Sequence, residues 1–220
     1  MTAAGYSGEL YDAIAAYGLQ RGAAILDVGC GDGAASGPFA DNDFPVTGVD
    51  VSREALAAAR VRLPDAALTE AQAEALPFPD QRFDVAICAQ SIHLFDRTRA
   101  LQEMQRVLKP SGIVAVWWKQ LMTQEGVREV REETYRERSA EPPPEGLTGG
   151  FKEFYAAAEL RDQSLRVIPW RTSVTLEQFV LGESEEVRDA LRDAMRRRLG
   201  AQNPALGLAY IQYLYLAKRR

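Results

Sequence analysis

The sequence predicts an α/β fold in which helices cover both faces of a mostly parallel sheet. Three observations predict it: short apolar runs alternate with helical segments, the first run enters a glycine-rich loop, and two runs end in an acid. Strands that alternate with helices form parallel βαβ units. Glycine at alternate loop positions lets the backbone turn sharply and lie against a ligand. The pattern therefore predicts a nucleotide-binding domain.

The first half of the chain follows this alternation closely. Ser52 is a good N-cap for an alanine-rich helix, and a Lys-Pro-Ser-Gly run at 109–112 ends a later one. The predicted elements are a helix at 7–18, strands at 23–28 and 45–50, a helix at 52–62, strands at 66–71 and 83–88, a helix at 98–108 and a strand at 113–118.

The alternation lapses after Trp118. Residues 123–138 are densely charged, and 141–146 form a proline-rich, stiff connector. We expect a single domain over 1–220, with a lid helix at 1–20, a cofactor-binding core at 21–118, a cap insertion at 119–162 and the rest of the sheet at 163–220. The predicted later elements are a helix at 151–160, a strand at 165–174, two helices within 176–199 and a last strand at 208–217.

Composition excludes several classes of partner. The 220-residue chain has a formal net charge of -5 and is 46% hydrophobic, which is normal for a globular core. An acidic protein has no general attraction to nucleic acid or anionic lipid. The first ten residues do not resemble a signal peptide, and no apolar stretch approaches the roughly 20 residues of a membrane span. We expect a cytoplasmic monomer or homodimer with two reduced cysteines and no metal site.

Candidate binding residues follow the strands, because ligands of open parallel sheets bind beyond the carboxyl ends of the strands. The Asp50 carboxylate can accept hydrogen bonds from both hydroxyls of a ribose. The run Gly29-x-Gly31-x-x-Ala34 with Asp50 also satisfies the dinucleotide fingerprint, so a nicotinamide-dependent oxidoreductase is an alternative. Asp27 would repel a pyrophosphate, however, and Gly33 shifts the pattern to G-x-G-x-G. A non-catalytic binding scaffold is a third reading.

Four motifs resemble the class I S-adenosylmethionine-dependent methyltransferases, in particular the small-molecule branch. They are Asp-Val-Gly-Cys-Gly-Asp-Gly at 27–33, Val-Asp-Val-Ser at 49–52, Ala-Glu-Ala-Leu-Pro-Phe at 73–78 followed by Phe-Asp-Val at 83–85, and Arg-Val-Leu-Lys-Pro-Ser-Gly at 106–112. The resemblance implies a Rossmann-like, seven-stranded sheet with an antiparallel last strand. It also implies S-adenosylmethionine as cofactor and a small-molecule methyl acceptor.

The same resemblance implies the cofactor contacts. Asp27 and the glycine loop would hold the methionine part, Asp50 the ribose, and Gln72 with the Ala73 amide the adenine. Gln72 departs from the aspartate that is common in the family, but its carbonyl can accept the same hydrogen bond. The full implied set is Asp27, Gly29, Cys30, Gly31, Gly33, Asp50, Val51, Gln72, Ala73 and Gln90.

The single histidine, His93, is the candidate catalytic residue. It follows the fourth predicted strand, and an imidazole with a pKa near 6.5 can act as a base or orient an acceptor. Adjacent strand residues face opposite sides, so we expect only one of Trp117 and Trp118 to reach a pocket. The candidate acceptor pocket comprises Tyr6, Tyr11, His93, Phe95, Trp117, Trp118, Met122, Phe151 and Tyr155.

Overall fold

A computed structural model describes residues 5–122, 126–138, 160–180, 183, 185–199 and 205–220. The helices are α1 Gly8–Ala16, α2 Gly37–Ala40, α3 Arg53–Arg62, α4 Arg97–Val107, α5 Val127–Glu137, α6 Leu176–Val180 and α7 Glu185–Leu199, with a 3₁₀ helix at Ile92–Leu94. The strands are β1 Ile25–Val28, β2 Val46–Asp50, β3 Ala67–Glu70, β4 Phe83–Ala89, β5 Leu108–Met122, β6 Arg161–Thr175 and β7 Ala205–Lys218.

The strands form one seven-stranded sheet in the order β3-β2-β1-β4-β5-β7-β6. The first five are parallel and the last strands are antiparallel, which confirms the predicted fold class. Central β1 pairs with β2 on one side and β4 on the other, and Asp27 aligns with Gly48 and Ile87. The carboxyl ends of β1, β2 and β4 therefore lie together at one edge of the sheet.

Local sequence signals fix where the helices begin. The Ser52 hydroxyl accepts a hydrogen bond from the Ala55 N–H at 3.1 Å, which confirms the predicted cap of α3. Asp96 caps α4 in the same way through the Arg99 N–H. Each such cap satisfies an N–H that the helix leaves without an internal partner, and it typically contributes about 1 kcal/mol.

Helices bury both faces of the sheet. Ile25 packs with Leu10 and Ile14 of α1 on one face. Its neighbour Leu26 packs with Leu101 of α4 on the other. Consecutive strand residues point to opposite faces, so a strand covered on both sides is expected to be apolar at every position. A polar residue in such a strand is an exception. The one exception in β1 is the acidic residue Asp27, which has no exposed surface.

The structure departs from the predicted elements around β5. The run at 109–112, which was expected to end the helix before a strand at 113–118, lies inside β5. This strand already starts at Leu108, and it pairs irregularly with β4 between Phe83 and Val85. The irregularity is a β-bulge, in which β5 has more residues than the facing segment of β4. Ser111 within it has a φ of 62°. In the charged stretch, α5 forms by burying Val127 and Tyr135. The predicted connector at 141–146 lies outside the described residues, as does nearly all of the predicted helix at 151–160.

The chain divides into two compact units. The larger unit comprises Tyr6–Trp118, Leu147–Ile168 and Tyr213–Arg220, and the smaller comprises Met1–Gly5, Lys119–Gly146 and Pro169–Gln212. The smaller unit has its own apolar cluster, which includes Leu176, Leu191 and Leu208. Within the described residues, every helix is too short or too polar to span a bilayer.

Candidate functional site

The glycine loop after β1 is held by backbone hydrogen bonds to β2. The N–H groups of Gly29 and Cys30 both donate to the Val49 carbonyl, at 2.8 and 2.9 Å. The φ angles of Gly29, Gly31 and Gly33 are 70°, 55° and 78°, a region that residues with side chains rarely adopt. The sequence-predicted sharp turn is therefore present.

Close approach also explains the glycine at position 29. A Cβ there would lie 2.6 Å from the Ser91 hydroxyl and 2.8 Å from the Phe95 ring. At Gly33 the obstacle is Leu63, at 2.6 Å. A Cβ at Gly31 would meet nothing within 4 Å, so the backbone there borders open space.

Asp50 joins the end of β2 to the glycine loop. Its Oδ2 accepts a hydrogen bond from the Gly31 N–H and its Oδ1 accepts one from the Ser52 N–H, both at 2.9 Å. Each carboxylate oxygen has a second lone pair, so these bonds orient the group and leave acceptor capacity for a ligand. Because Ser52 caps α3, Asp50 does not have to.

A cleft of about 400 Å³ opens beside Asp50 in the larger unit. Exposed apolar side chains flank it: Val51 is 61% exposed and Leu94 is 73% exposed, unusual for aliphatic residues and suited to covering a flat ring. The lining is Gly29, Asp50, Val51, Ala71, Gln72, Ala73, Glu74, Ser91, Leu94, Phe95, Asp96 and Arg99. Of the predicted cofactor residues, Gly29, Asp50, Val51, Gln72 and Ala73 line it.

Asp27 is buried behind the loop and does not line the cleft. Its Oδ2 accepts a hydrogen bond from the Ser36 hydroxyl, whereas its Oδ1 has no hydrogen-bond partner among the described residues. Burial raises the pKa of Asp27 to about 7. The hydrogen bond from Ser36 lowers this pKa, whereas the negative charges of Asp50 and Asp32 raise it further. A buried carboxyl oxygen without a partner is costly, so it is a candidate ligand contact.

Comparison with known proteins identifies the domain. A family model described as a methyltransferase domain matches residues 26–116. Residues 26–116 therefore form a methyltransferase domain, of the class I type that the sequence motifs resemble. It is 38% identical to the fatty-acid O-methyltransferase of Mycolicibacterium smegmatis over 112 residues, which is 49% of this chain and 41% of that protein. It is 35% identical to the malonyl-[acyl-carrier protein] O-methyltransferase of Enterobacter lignolyticus over 97 residues, 44% of this chain and 39% of that protein.

The chain thus spans about two fifths of the length of those two curated relatives. Across nearly the whole chain, it resembles the structure of a protein from Anaeromyxobacter dehalogenans assigned to the type II methyltransferases. The TM-score is 0.71 with 23% identity, covering 97% of both chains. At that identity the likeness establishes the fold alone, since one fold hosts many reactions.

The residues at the site fit the cofactor that the class I family implies. Bare backbone at Gly31 leaves room beside the loop, and the Asp50 oxygens retain acceptor capacity for ribose hydroxyls. The partnerless oxygen of Asp27 complements the ammonium group of an amino acid. The cleft therefore has an acceptor for the ribose in Asp50, and the apolar side chains of Val51 and Leu94 suit the adenine of S-adenosylmethionine.

Arg106 and Glu103 hold the turn at 76–78, which follows the part of the cleft lined by Gln72 and Ala73. The Arg106 guanidinium donates to the carbonyls of Leu76 and Phe78, at 3.0 and 2.8 Å, and Glu103 accepts from the Leu76 N–H at 2.8 Å. Both side chains come from α4, so the helix holds the loop through its last turns. Sequence reasoning recognised the Arg106 motif but assigned this residue no role.

Three other predicted site residues, Cys30, Gln90 and His93, are not part of the cleft lining. Cys30 is buried against Gly48, and burial raises the pKa of its thiol. Gln90 has a φ of 61°, and its N–H donates to the Trp117 carbonyl at 2.9 Å. His93 lies half-buried in the 3₁₀ helix, where burial and the charge of Arg97 lower its pKa. His93 is therefore neutral near pH 7 and able to accept a proton.

The predicted aromatic pocket residues divide between the two sheet faces. Trp117 is fully buried and meets Tyr6 edge-on at 5.6 Å and Tyr11 at 6.4 Å. Trp118 stacks on Tyr213 and Tyr215 of β7. The two indoles point in opposite directions as expected, but both are core and neither lines the cleft.

The remaining predicted pocket residues have varied positions. Phe95 lines the cleft, and Met122 is exposed at the end of β5. Phe151 and Tyr155 lie outside the described residues.

Several lining residues were missed from the sequence. Ser91 contacts the loop because β4 lies beside β1, a long-range pairing that a local pattern does not reveal. Glu74 accepts a hydrogen bond from the Asp96 N–H at 2.8 Å, joining two loops that are far apart in sequence. The N-cap position of Asp96 was the one available local signal. No group of three or more metal-ligating side chains occurs among the residues described.

Proposed function

We propose that the protein transfers a methyl group from S-adenosylmethionine to a small-molecule acceptor. The cleft that unites the glycine loop, Asp50 and Gln72 at the carboxyl ends of the parallel strands carries this proposal. Under this proposal, Asp27 and the loop bind the methionine part of the cofactor, Asp50 binds the ribose, and Gln72 with the Ala73 amide binds the adenine. The match of residues 26–116 to the methyltransferase domain model supports it.

The chain's task in this reaction is chiefly positioning. The bound cofactor supplies a methyl group on a sulfonium, which an aligned acceptor can attack directly. Asp50 and the glycine loop hold the cofactor in place, and no covalent nucleophile is needed. We propose His93 as the base when the acceptor must lose a proton, because its lowered pKa keeps the imidazole neutral near pH 7.

We propose carboxylic acids and other oxygen acceptors as the first substrates to test. Both named relatives are O-methyltransferases, one of fatty acids and one of a malonyl group on a carrier protein. We further propose that residues 119–162 select the acceptor, that 1–20 act as a lid, and that the protein is cytoplasmic. Alanine at Phe151 and Tyr155 should then raise KM for the acceptor without changing the affinity for S-adenosylhomocysteine.

Calorimetric titration with S-adenosylhomocysteine and with NAD tests the cofactor assignment. Binding of the first without the second supports methyl transfer, and the reverse supports a nicotinamide-dependent oxidoreductase. Labelled S-adenosylmethionine then tests a panel of acids, phenols and amines. A protein that binds the cofactor product but labels no acceptor in any class is a binding scaffold. With an identified acceptor, an unchanged kcat in His93→Ala would eliminate the base role.

A further inference from the structure

Ser36 is a buried residue to which neither the sequence motifs nor the cofactor contacts assign a role. It precedes α2, is fully buried, and donates its hydroxyl to Oδ2 of Asp27. The other oxygen of Asp27 has no hydrogen-bond partner among the described residues. No described lysine, arginine or histidine forms an ion pair with Asp27. One oxygen is therefore anchored and the other lacks a partner.

Among the described residues, the titratable groups that act on Asp27 are all neutral or acidic. They come from β2, from the loop after β1, from α1 with the residue before its N-cap, and from β4. They are Asp50, Asp32, Cys30, Tyr6, Tyr11 and Cys88. The nearby Arg62 is paired with Asp32, at 3.0 Å. Without a cation of its own, the buried Asp27 carboxyl favours the protonated form, which agrees with its raised pKa of about 7.

We propose that Ser36 is a positioning residue for cofactor binding, which holds Asp27 so that its free oxygen meets the amino group of the ligand, and that Asp27 releases a proton as the ligand binds. The inference rests on the proposed function. In the step, the neutral carboxylic acid gives its proton to solvent, and the resulting carboxylate pairs with the ligand's ammonium group. No other bond forms or breaks.

The Ser36 hydroxyl favours this step because it donates to the ionised carboxylate. It lowers the pKa of Asp27 against the opposing effect of burial. Without the hydroxyl, Asp27 keeps its proton to a higher pH, and the ligand must displace it at greater cost. The removal of Ser36 should therefore change both the affinity and the pH at which the affinity levels off.

Calorimetric titration with S-adenosylhomocysteine from pH 5.5 to 8.5, in buffers of different ionisation enthalpy, tests this. For the natural chain we expect affinity to rise with pH, to level off above the pKa of Asp27, and to be accompanied by proton release below it. Ser36→Ala should bind S-adenosylhomocysteine about tenfold more weakly at pH 7, because one charge-assisted hydrogen bond is lost. Its affinity should level off at a higher pH than that of the natural chain. Ser36→Thr, which keeps the hydroxyl, should restore the natural profile.

Thr134→Val is the matched control, because it removes a buried hydroxyl from α5 in the smaller unit. It should leave the profile unchanged. An equal loss of affinity at every pH in Ser36→Ala would mean a merely structural role and overturn the proposal. If Ser36→Ala does not fold, Asp27→Asn replaces it: binding must then occur without proton release, and release of a proton by that variant overturns the proposal.

5′-Methylthioadenosine separates this inference from the proposed function. It lacks the amino acid part of the cofactor, so its affinity should not depend on pH or on Ser36. Failure of both ligands to bind would refute the proposed function itself. Binding of S-adenosylhomocysteine with no proton release would refute the proton-linked role alone.

Discussion

Replacing Asp27 with asparagine should stabilise the ligand-free protein above pH 7, although the change removes a residue of the proposed site. Asparagine has nearly the same shape, and its carbonyl oxygen can still accept the hydrogen bond from Ser36. What the variant loses is a buried carboxyl group that must ionise as pH rises. Asp27 has no exposed surface, so water does not relieve this cost.

The magnitude follows from the pKa of Asp27. Folding raises it from 3.8 to about 7, and each pKa unit corresponds to about 1.36 kcal/mol, so the total is about 4 kcal/mol. Between those two values the folded protein retains a proton that the unfolded chain has lost. Stability therefore falls as pH rises through this window and is constant above it. Asp27→Asn does not lose stability in this pH window, because asparagine does not ionise.

Urea denaturation at pH 4, 6 and 8 without ligand measures the effect. We expect the variant and the natural chain to have similar free energies of unfolding at pH 4, with a gain for the variant that grows to about 4 kcal/mol at pH 8. Asp65→Asn is the matched control. It removes an exposed acid that is not among the charges acting on Asp27, so it should give no such gain. A difference that is independent of pH, or a variant less stable at pH 8, would refute the reasoning.

Three further substitutions have specific expected outcomes. Gly29→Ala should abolish S-adenosylhomocysteine binding, measured by calorimetry, because the new Cβ would lie 2.6 Å from the Ser91 hydroxyl at a positive φ; retained affinity would show that the loop can shift. Arg106→Ala should lower the free energy of unfolding by about 2 kcal/mol in urea, since the carbonyls that the guanidinium satisfies lose their donor. Glu183→Ala should cost about 3 kcal/mol because it removes the buried carboxylate that accepts hydrogen bonds from Arg131 and Tyr135, and a cost near zero would contradict the importance of that ion pair.

Local signals account for most of what was predictable about the fold. Ser52 caps α3 because its hydroxyl reaches an N–H three residues away, a contact set by the sequence itself. The alternation of strands and helices predicted the parallel sheet, since a buried strand and an amphipathic helix each have their own period. The structure differs at 109–112, the run that was expected to separate a helix from the next strand. It belongs to β5, because that strand already pairs with β4 at Leu108.

The candidate site was predictable from the sequence only for residues whose position follows from the strand that they adjoin. The glycine loop and Asp50 are adjacent to strand ends, so sequence order alone predicted that they meet. Ser91 and Glu74 were missed because their contacts join distant segments. His93 was singled out by its residue type, and the structure places it in a 3₁₀ helix outside the cleft lining.

The sequence by itself determined the strand-loop-helix pattern, the glycine positions and the acids at the strand ends, because these depend on interactions between near neighbours. It also determined that Trp117 and Trp118 face opposite ways, since side chains alternate along a strand. Only the tertiary structure decided that both indoles are buried, because Tyr6 and Tyr11 cover one face and β7 tyrosines the other. It alone brought Ser36 to Asp27 and left the second oxygen of that acid without a hydrogen-bond partner in the described part of the chain, since burial and long-range contacts arise only once the chain has packed.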